Sequence, residues 1–292
     1  MSEVENITRD DLDNLQSFSC VESYILAYLK KEKINITLLY YLSYIPYKEL
    51  YNDFLFKEVE YAYLKKIPRI QDVAKEHNLI EVEWNDNINL TEIFENKEWD
   101  FLLGINSDYF YAKYNFYPWR KDHYVLIRQK NQNTYYYLND NPRDESYITT
   151  SELHQIFNGE TIKYRITGDT FSLEENKILK QFYTNLTFEE KSNLIDTIDT
   201  ILEDEHTIKI RDFLGVLRIS RIRIERFISN FIDSNFMESY ITEIKKLYTT
   251  CEYQRLRKKL DLNYIKEKID ELYIMDINIM RKVKENLGGL IS

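Results

Sequence analysis

Only two cysteines occur in the chain, Cys20 and Cys251, too few for the disulfide framework of a small secreted protein. Six glycines and four prolines leave little turn-forming sequence, and no segment has low complexity, so a globular and mostly regular chain is expected. The one adjacent pair of glycines, Gly288 and Gly289, stands at the tail, where it spells out no phosphate-cradling loop. Neither Cys-x-x-Cys nor His-Glu-x-x-His is present, and His, Cys, Asp and Glu do not recur at ligand spacing; neither a metal site nor a bound cofactor is expected. No apolar run reaches the roughly 18 residues that a membrane-crossing helix needs. Met1 leads into Ser2-Glu3-Val4-Glu5-Asn6 rather than a basic and then apolar signal segment, so the expected location is the cytoplasm, without a membrane partner.

Positive charge is also in deficit. The net charge is −10, and residues 1–170 carry 19 basic against 28 acidic side chains while residues 171–292 carry 20 against 21. An acidic chain of this kind is a poor candidate for nucleic-acid binding. What the chain has in abundance is tyrosine, 25 residues, a composition that suits an aromatic-lined cleft.

Hydropathy patterning divides the chain near residue 170. Before that point the pattern is mixed α and β. Residues 20–31 and 68–77 have helical spacing, 40–46 is ambiguous and ends at Pro46, and residues 99–105, 123–128, 134–138 and 164–167 read as short strands rich in β-branched and aromatic side chains. After Gly168 apolar residues recur every three to four positions, as in Ile178, Leu179, Phe182 and Tyr183 and again in Phe227, Ile228, Phe231 and Ile232. Ser172 and Thr187, each followed by glutamates, offer helix N-caps. The expected organisation is an α+β domain over residues 1–170 and an all-helical domain over residues 171–292.

Cys20 is the residue best placed for chemistry. It follows the polar stretch Gln16-Ser17-Phe18-Ser19 and begins the apolar run to Leu29, the N-terminal helical position that stabilises a thiolate. Of the four histidines, His77, His154 and His206 have charged surroundings, whereas His123 opens a strand that returns through Lys130-Asn131-Gln132-Asn133 to Asn139-Asp140. With the turn centred between Asn131 and Gln132, His123 faces Asp140 across the hairpin, at about 4.5–5.5 Å between Cβ atoms. A half-residue shift sets Asn139 or Asn141 there instead. Cys20, His123 and Asp140 thus match a nucleophile, a base and an orienting carboxylate, unless Cys20 is simply a small buried residue and the other two decorate a strand edge. Cys251, inside the helical Thr249–Tyr253 stretch, lacks such company and is expected to be inert.

Taken in order, Cys20-Val21-Glu22-Ser23 before a helix, Ser107-Asp108-Tyr109-Phe110-Tyr111, His123-Tyr124-Val125-Leu126-Ile127 and Tyr137-Leu138-Asn139-Asp140-Asn141-Pro142 make residues 12–145 resemble the papain-like family named after the N-terminal domain of the butirosin biosynthesis acyltransferase. The resemblance implies a papain-like fold, with an antiparallel sheet and an N-terminal catalytic helix, followed by helices. It implies Cys20 as nucleophile, His123 as general base and acid, and Asp140 as the orienting residue. Asp108 matches a recurring aspartate of the family, and Asp108, Tyr109 and Glu22 are candidates for substrate binding. Papain-like enzymes place an oxyanion-binding glutamine shortly before the cysteine; here Asn14 holds that place and Gln16 is the nearest glutamine, so both are candidates.

The implied activity is acyl transfer. An acyl or peptidyl group would pass from a thioester on the phosphopantetheine of a carrier protein, through a Cys20 acyl-enzyme, to an amine acceptor in nonribosomal natural-product assembly. A peptidase or amidase using the same residues with water, and a non-catalytic binding protein on the same fold, remain open. Carrier proteins are typically acidic, and Arg218, Arg221 and Arg223, in the basic stretch 209–226, are the candidates for docking one.

Overall fold

Ser19 starts the first helix. Its backbone is extended, and its hydroxyl accepts from the Glu22 N–H at 3.3 Å, the usual satisfaction of an orphan donor at a helix start. Helix α1 (Cys20–Lys31) then buries every residue from Cys20 to Leu29, so it lies within the protein rather than on its surface. The computed structural model describes residues 7–12, 16–56, 66–86, 88–95, 99–114, 123–167, 174–187 and 204–291. Among these no helix is long and apolar enough to cross a membrane.

The chain forms two compact units, Met1–Ile36 with Arg69–Ser172, and Thr37–Pro68 with Leu173–Ser292. The first is α+β. Its six strands, β1 (Ile80–Asn85), β2 (Asp100–Ile105), β3 (His123–Asn131), β4 (Thr134–Asn139), β5 (Asp144–Thr149) and β6 (Phe157–Ile166), make one sheet in the order β1-β6-β2-β3-β4-β5, and every neighbouring pair is antiparallel.

Alternation along the strands gives the sheet two apolar faces. Leu103, Ile105, Val125, Ile127, Tyr135 and Tyr137 point to one face. They form a core with Leu90 and Ile93 of helix α4 (Leu90–Glu95), Phe110 of α5 (Ser107–Tyr114) and Leu153 and Ile156 of α6 (Thr150–Ile156). The intervening residues Leu102, Leu126, Leu138, Ile162 and Tyr164 are wholly buried on the other face. There α1 packs on β3, Tyr28 meets the Tyr164 ring edge-on at 5.0 Å, and the Tyr24 hydroxyl donates to the Leu138 carbonyl at 2.9 Å. Helix α3 (Ile70–Glu76) packs beside α1 and β1. Each large apolar side chain buried in this way contributes about 1.5–3 kcal/mol. Gly104 allows a close approach: a Cβ there would clash with the Asn158 side-chain amide unless that side chain shifted, at the place where the β2–β6 register shifts.

The second unit is helical: α2 (Tyr47–Phe56), α7 (Glu175–Asn185), α8 (Asp204–Ile228), α9 (Glu238–Leu256) and α10 (Leu262–Ile291). A boundary at residue 170 leaves 37–68 with the α+β part, but in the structure that segment belongs to the helical unit. The reason is packing. The Phe213 ring of α8 is met edge-on by Tyr47 and Tyr51 of α2 at 5.1 and 5.5 Å, the Tyr47 hydroxyl donates to the Ile269 carbonyl at 2.9 Å, and the Ser220 hydroxyl donates to the Ser43 carbonyl at 2.6 Å. Of residues 40–46, ambiguous by pattern, 40–42 end a 3-10 helix, Ile36–Leu42, and 43–46 are irregular. The Ser172 and Thr187 capping segments run into residues outside those described.

Candidate active site

The β3–β4 hairpin decides the neighbours of His123. Its turn is centred between Gln132 and Asn133, with Asn131 paired to Thr134 and the Asn133 N–H bonded to Asn131 Oδ1 at 3.0 Å. An irregularity between Gln129 and Asn131 takes up one residue, after which the pairs run Gln129–Tyr135 to Leu126–Leu138. This register differs from the one that set His123 opposite Asp140. Continued to the strand end it sets His123 opposite Asn141, with Asn139 the diagonal neighbour on the same face and Asp140 turned toward the face of α1.

The contacts follow that parity. His123 Nε2 lies 2.5 Å from Asn139 Oδ1, whereas Asp140 Oδ1 is 3.8 Å away, beyond hydrogen-bonding reach. Asn139 Nδ2 donates to the Pro142 carbonyl at 2.7 Å, which commits its Oδ1 to acceptance. The His123 Nε2 therefore carries the hydrogen of this bond, and Nδ1 of the neutral ring is the nitrogen left to accept a proton. The orienting hydrogen bond expected from Asp140 is made by Asn139. Phe110 of α5 covers the imidazole, with ring centroids 4.2 Å apart, and the His123 side chain keeps 15% of its accessible surface.

Cys20 reaches this end of the sheet through α1. It is the first residue of the helix and 8% exposed. One turn further on, Tyr24 is fixed to Leu138, next to Asn139 in sequence. Burial, followed by the nearby Asp140 carboxylate and Cys20, holds the Tyr24 phenol well above its ordinary pKa, so it remains a protonated donor. Cys20, Asp140 and Tyr24 thus share one neighbourhood, and Asp140 also borders His123. Cys251 is different: burial within α9 pushes its thiol up to about 12, which leaves it protonated at physiological pH.

No protein-family model and no curated protein matches the chain. The reading of the site therefore rests on its residues.

Several candidates have other places. Glu22 is wholly buried, and its two carboxylate oxygens accept from the Phe18 N–H at 2.6 Å and the Ile70 N–H at 3.0 Å. It ties the segment before Cys20 to the start of α3 and is not presented to a substrate. Glu22→Gln replaces one of these oxygens by a donor and is expected to cost about 2 kcal/mol of stability, read as a lower urea midpoint; an unchanged midpoint would show that the bridge is dispensable.

Asp108 is exposed at the start of α5, its N–H bonded to Asn106 Oδ1 at 2.9 Å, and Tyr109 is half-buried against the sheet core. Both flank the Phe110 that covers His123, so they stay candidates for substrate contact. Gln16 is half-buried four positions before Cys20, and Asn14 lies outside the described residues.

The arginines expected to dock a carrier are mostly interior. Arg221 and Arg223 are 0% exposed, and Arg218 is half-buried. Arg221 pairs with Asp276 through two bonds of 2.6 and 2.9 Å and donates to the Ile45 carbonyl at 3.0 Å, while Arg223 lies over the Tyr40 ring at 5.3 Å. The basic stretch reads as a docking face because helical spacing alone does not reveal that Tyr40 and Ile45 lie against Arg223 and Arg221.

Asn139 was legible in the sequence only as an alternative, and the roles of Phe110 and Tyr24 were not read at all. The Cys20–Tyr24 spacing of one helical turn is the signal that could have found the tyrosine.

Proposed function

We propose that the protein is a cysteine-dependent acyltransferase that makes amides, built on a papain-like arrangement in its α+β unit. The observation that carries the proposal is the His123–Asn139 pair, an imidazole held through Nε2, with Asp140 beside it and both Asp140 and Cys20 close to Tyr24 of the buried α1. The order of motifs, which resembles the family containing the butirosin acyltransferase and the amide-forming enzyme of closthioamide biosynthesis, supports acyl transfer over peptide cleavage.

In this reading the Cys20 thiolate attacks the carbonyl carbon of a thioester carried on the phosphopantetheine of an acyl or peptidyl carrier protein. The new C–S bond forms, the old one breaks, and the departing thiolate takes the proton from the His123 imidazolium. An amine then attacks the acyl-Cys20 carbonyl and gives its proton to His123. Collapse of the adduct releases the amide and returns the Cys20 thiolate. The Asn139 amide holds the imidazole in one tautomer through both steps, and the start of α1 favours the thiolate by its dipole.

Incubation with acyl-pantetheine and acyl-carrier thioesters, followed by intact-mass measurement, tests the proposal. The expected result is a single acyl adduct on Cys20 that is discharged by added amines with formation of the amide. Discharge by water alone, together with peptide cleavage, would identify a hydrolase. No adduct from any thioester would leave the fold as a binding scaffold and refute the acyltransferase reading.

A further inference from the structure

Two side chains, not one, stand behind His123, and they differ in what they offer. The Asn139 amide is neutral and hydrogen-bonded at 2.5 Å; the Asp140 carboxylate is 3.8 Å from the same nitrogen, 5% exposed, and on the opposite parity of the strand end. A carboxylate at that separation makes no directional bond, but it acts on the charge of the ring. We propose that the two tasks usually combined in one orienting residue are divided here: Asn139 sets the geometry of the imidazole, and Asp140 is a positioning residue that holds its proton by charge. This inference rests on the cysteine-nucleophile reading of the site.

The surroundings make the carboxylate effective. From α1, the Tyr24 phenol approaches Asp140 and has Cys20 near it as well; from β4, the Tyr137 phenol approaches Asp140, itself held high by burial first, against the lowering hydrogen bond with Tyr114, and further by Asp144, Tyr109 and Asp140. On the α5 side the neutral Phe110 ring covers the imidazole, and the exposed Asp108 lies two residues earlier in that helix. At neutral pH the phenols are uncharged; the Asp140 carboxylate lies 3.8 Å from the ring nitrogen, and in the proposed reading the Cys20 thiolate is the anion that pairs with the imidazolium. When Cys20 is acylated its charge is consumed and Asp140 remains. The imidazole is then still basic enough to take the proton of the attacking amine, the step on which amide formation depends.

The sign of the effect is direct. An anion that favours imidazolium raises the pH at which His123 loses its proton, so removing the charge lowers that pH, by between about 1 and 3 units for an opposite charge at this distance. Alkylation of Cys20 by iodoacetamide measures this without any substrate: an S–C bond forms as C–I breaks and iodide leaves, at a rate that depends on the thiolate and its imidazolium partner. The wild-type rate, followed by intact mass on the full chain, is expected to rise in two steps, one when the ion pair forms and a second when His123 deprotonates. In Asp140→Asn the second step moves to lower pH; in Asn139→Ala alkylation slows between the two steps while the second stays closer to its wild-type position.

An Asp140→Asn profile that superimposes on the wild type overturns the division of roles but leaves the nucleophile reading standing. A wild-type profile with one step, near the ordinary thiol value of about 8.5, overturns both. Should Asp140→Asn fail to fold by circular dichroism, the exchange Asn139→Asp with Asp140→Asn decides: it brings the charge to the bonded position and is expected to raise the second step above wild type, and a step at or below the wild-type position would refute the proposal.

Discussion

Cys20→Ala is expected to lower the rate of acyl transfer by about 10³- to 10⁶-fold, the loss that follows removal of a covalent nucleophile when binding and the oxyanion site remain. Tyr24 offers no second nucleophile on the same path, since it is held protonated and donates to the Leu138 carbonyl. The fold should survive, because Cys20 is the first residue of α1, a position that tolerates alanine, and Ser19 and Glu22 keep the helix start in place. Single-turnover release of the carrier thiol, with mass detection of the adduct, measures the effect. Cys251→Ser is the matched control and should leave the rate unchanged, since that thiol is buried in α9 and pushed up to about 12. Full turnover in Cys20→Ala would remove the nucleophile assignment altogether.

Arg221→Met or Asp276→Leu alone is expected to destabilise the helical unit by about 3–5 kcal/mol, because either change leaves the partner charge buried and only partly compensated. The pair lies between α8 and α10. Asp276 also accepts from the Tyr240 hydroxyl of α9 at 2.7 Å, and Arg221 also donates to the Ser220 hydroxyl at 3.0 Å and to the Ile45 carbonyl at 3.0 Å. Three helices and the 37–68 segment therefore meet at one ion pair. Combining the two substitutions should recover part of the loss, since two apolar side chains of similar volume leave no orphaned charge. Urea unfolding followed by circular dichroism reads all three variants. A cost below about 1 kcal/mol for either single change would mean that the pair behaves as a surface bridge. For the same reason Arg221→Glu would unfold the helical unit and report nothing about carrier docking.

Local periodicity was a good guide where short-range forces dominate. Helix α1 with Cys20 at its start, the strands over 100–105, 123–131 and 134–139, and the helical character after residue 170 all follow from side-chain spacing and capping. β1 and β5 escaped notice because charged and polar side chains dilute their alternation: they are the two edge strands, Ile80-Glu81-Val82-Glu83 and Asp144-Glu145-Ser146-Tyr147, where one face meets solvent and little burial marks the pattern.

Which polar residue serves His123 turned on one extra residue in the hairpin. Chemistry narrowed the choice to Asn139, Asp140 or Asn141, but side-chain parity reverses with each residue of slip, and the bulge near Lys130 is settled by the sheet as a whole rather than by the turn sequence. Glu22 and Arg221 make the same point about charge. Glu22 reads as a substrate contact and Arg221 as a docking residue, yet each is buried because distant backbone donors, carbonyls or carboxylates satisfy it: the Ile70 N–H in one case, Ile45 and Asp276 in the other. Residue types and spacing were thus enough to nominate Cys20 and His123 and to read an α+β part followed by helices. The orienting partner, the interior arginines and the membership of 37–68 depended on contacts between residues far apart in the chain, whose energies leave no periodic trace in the sequence.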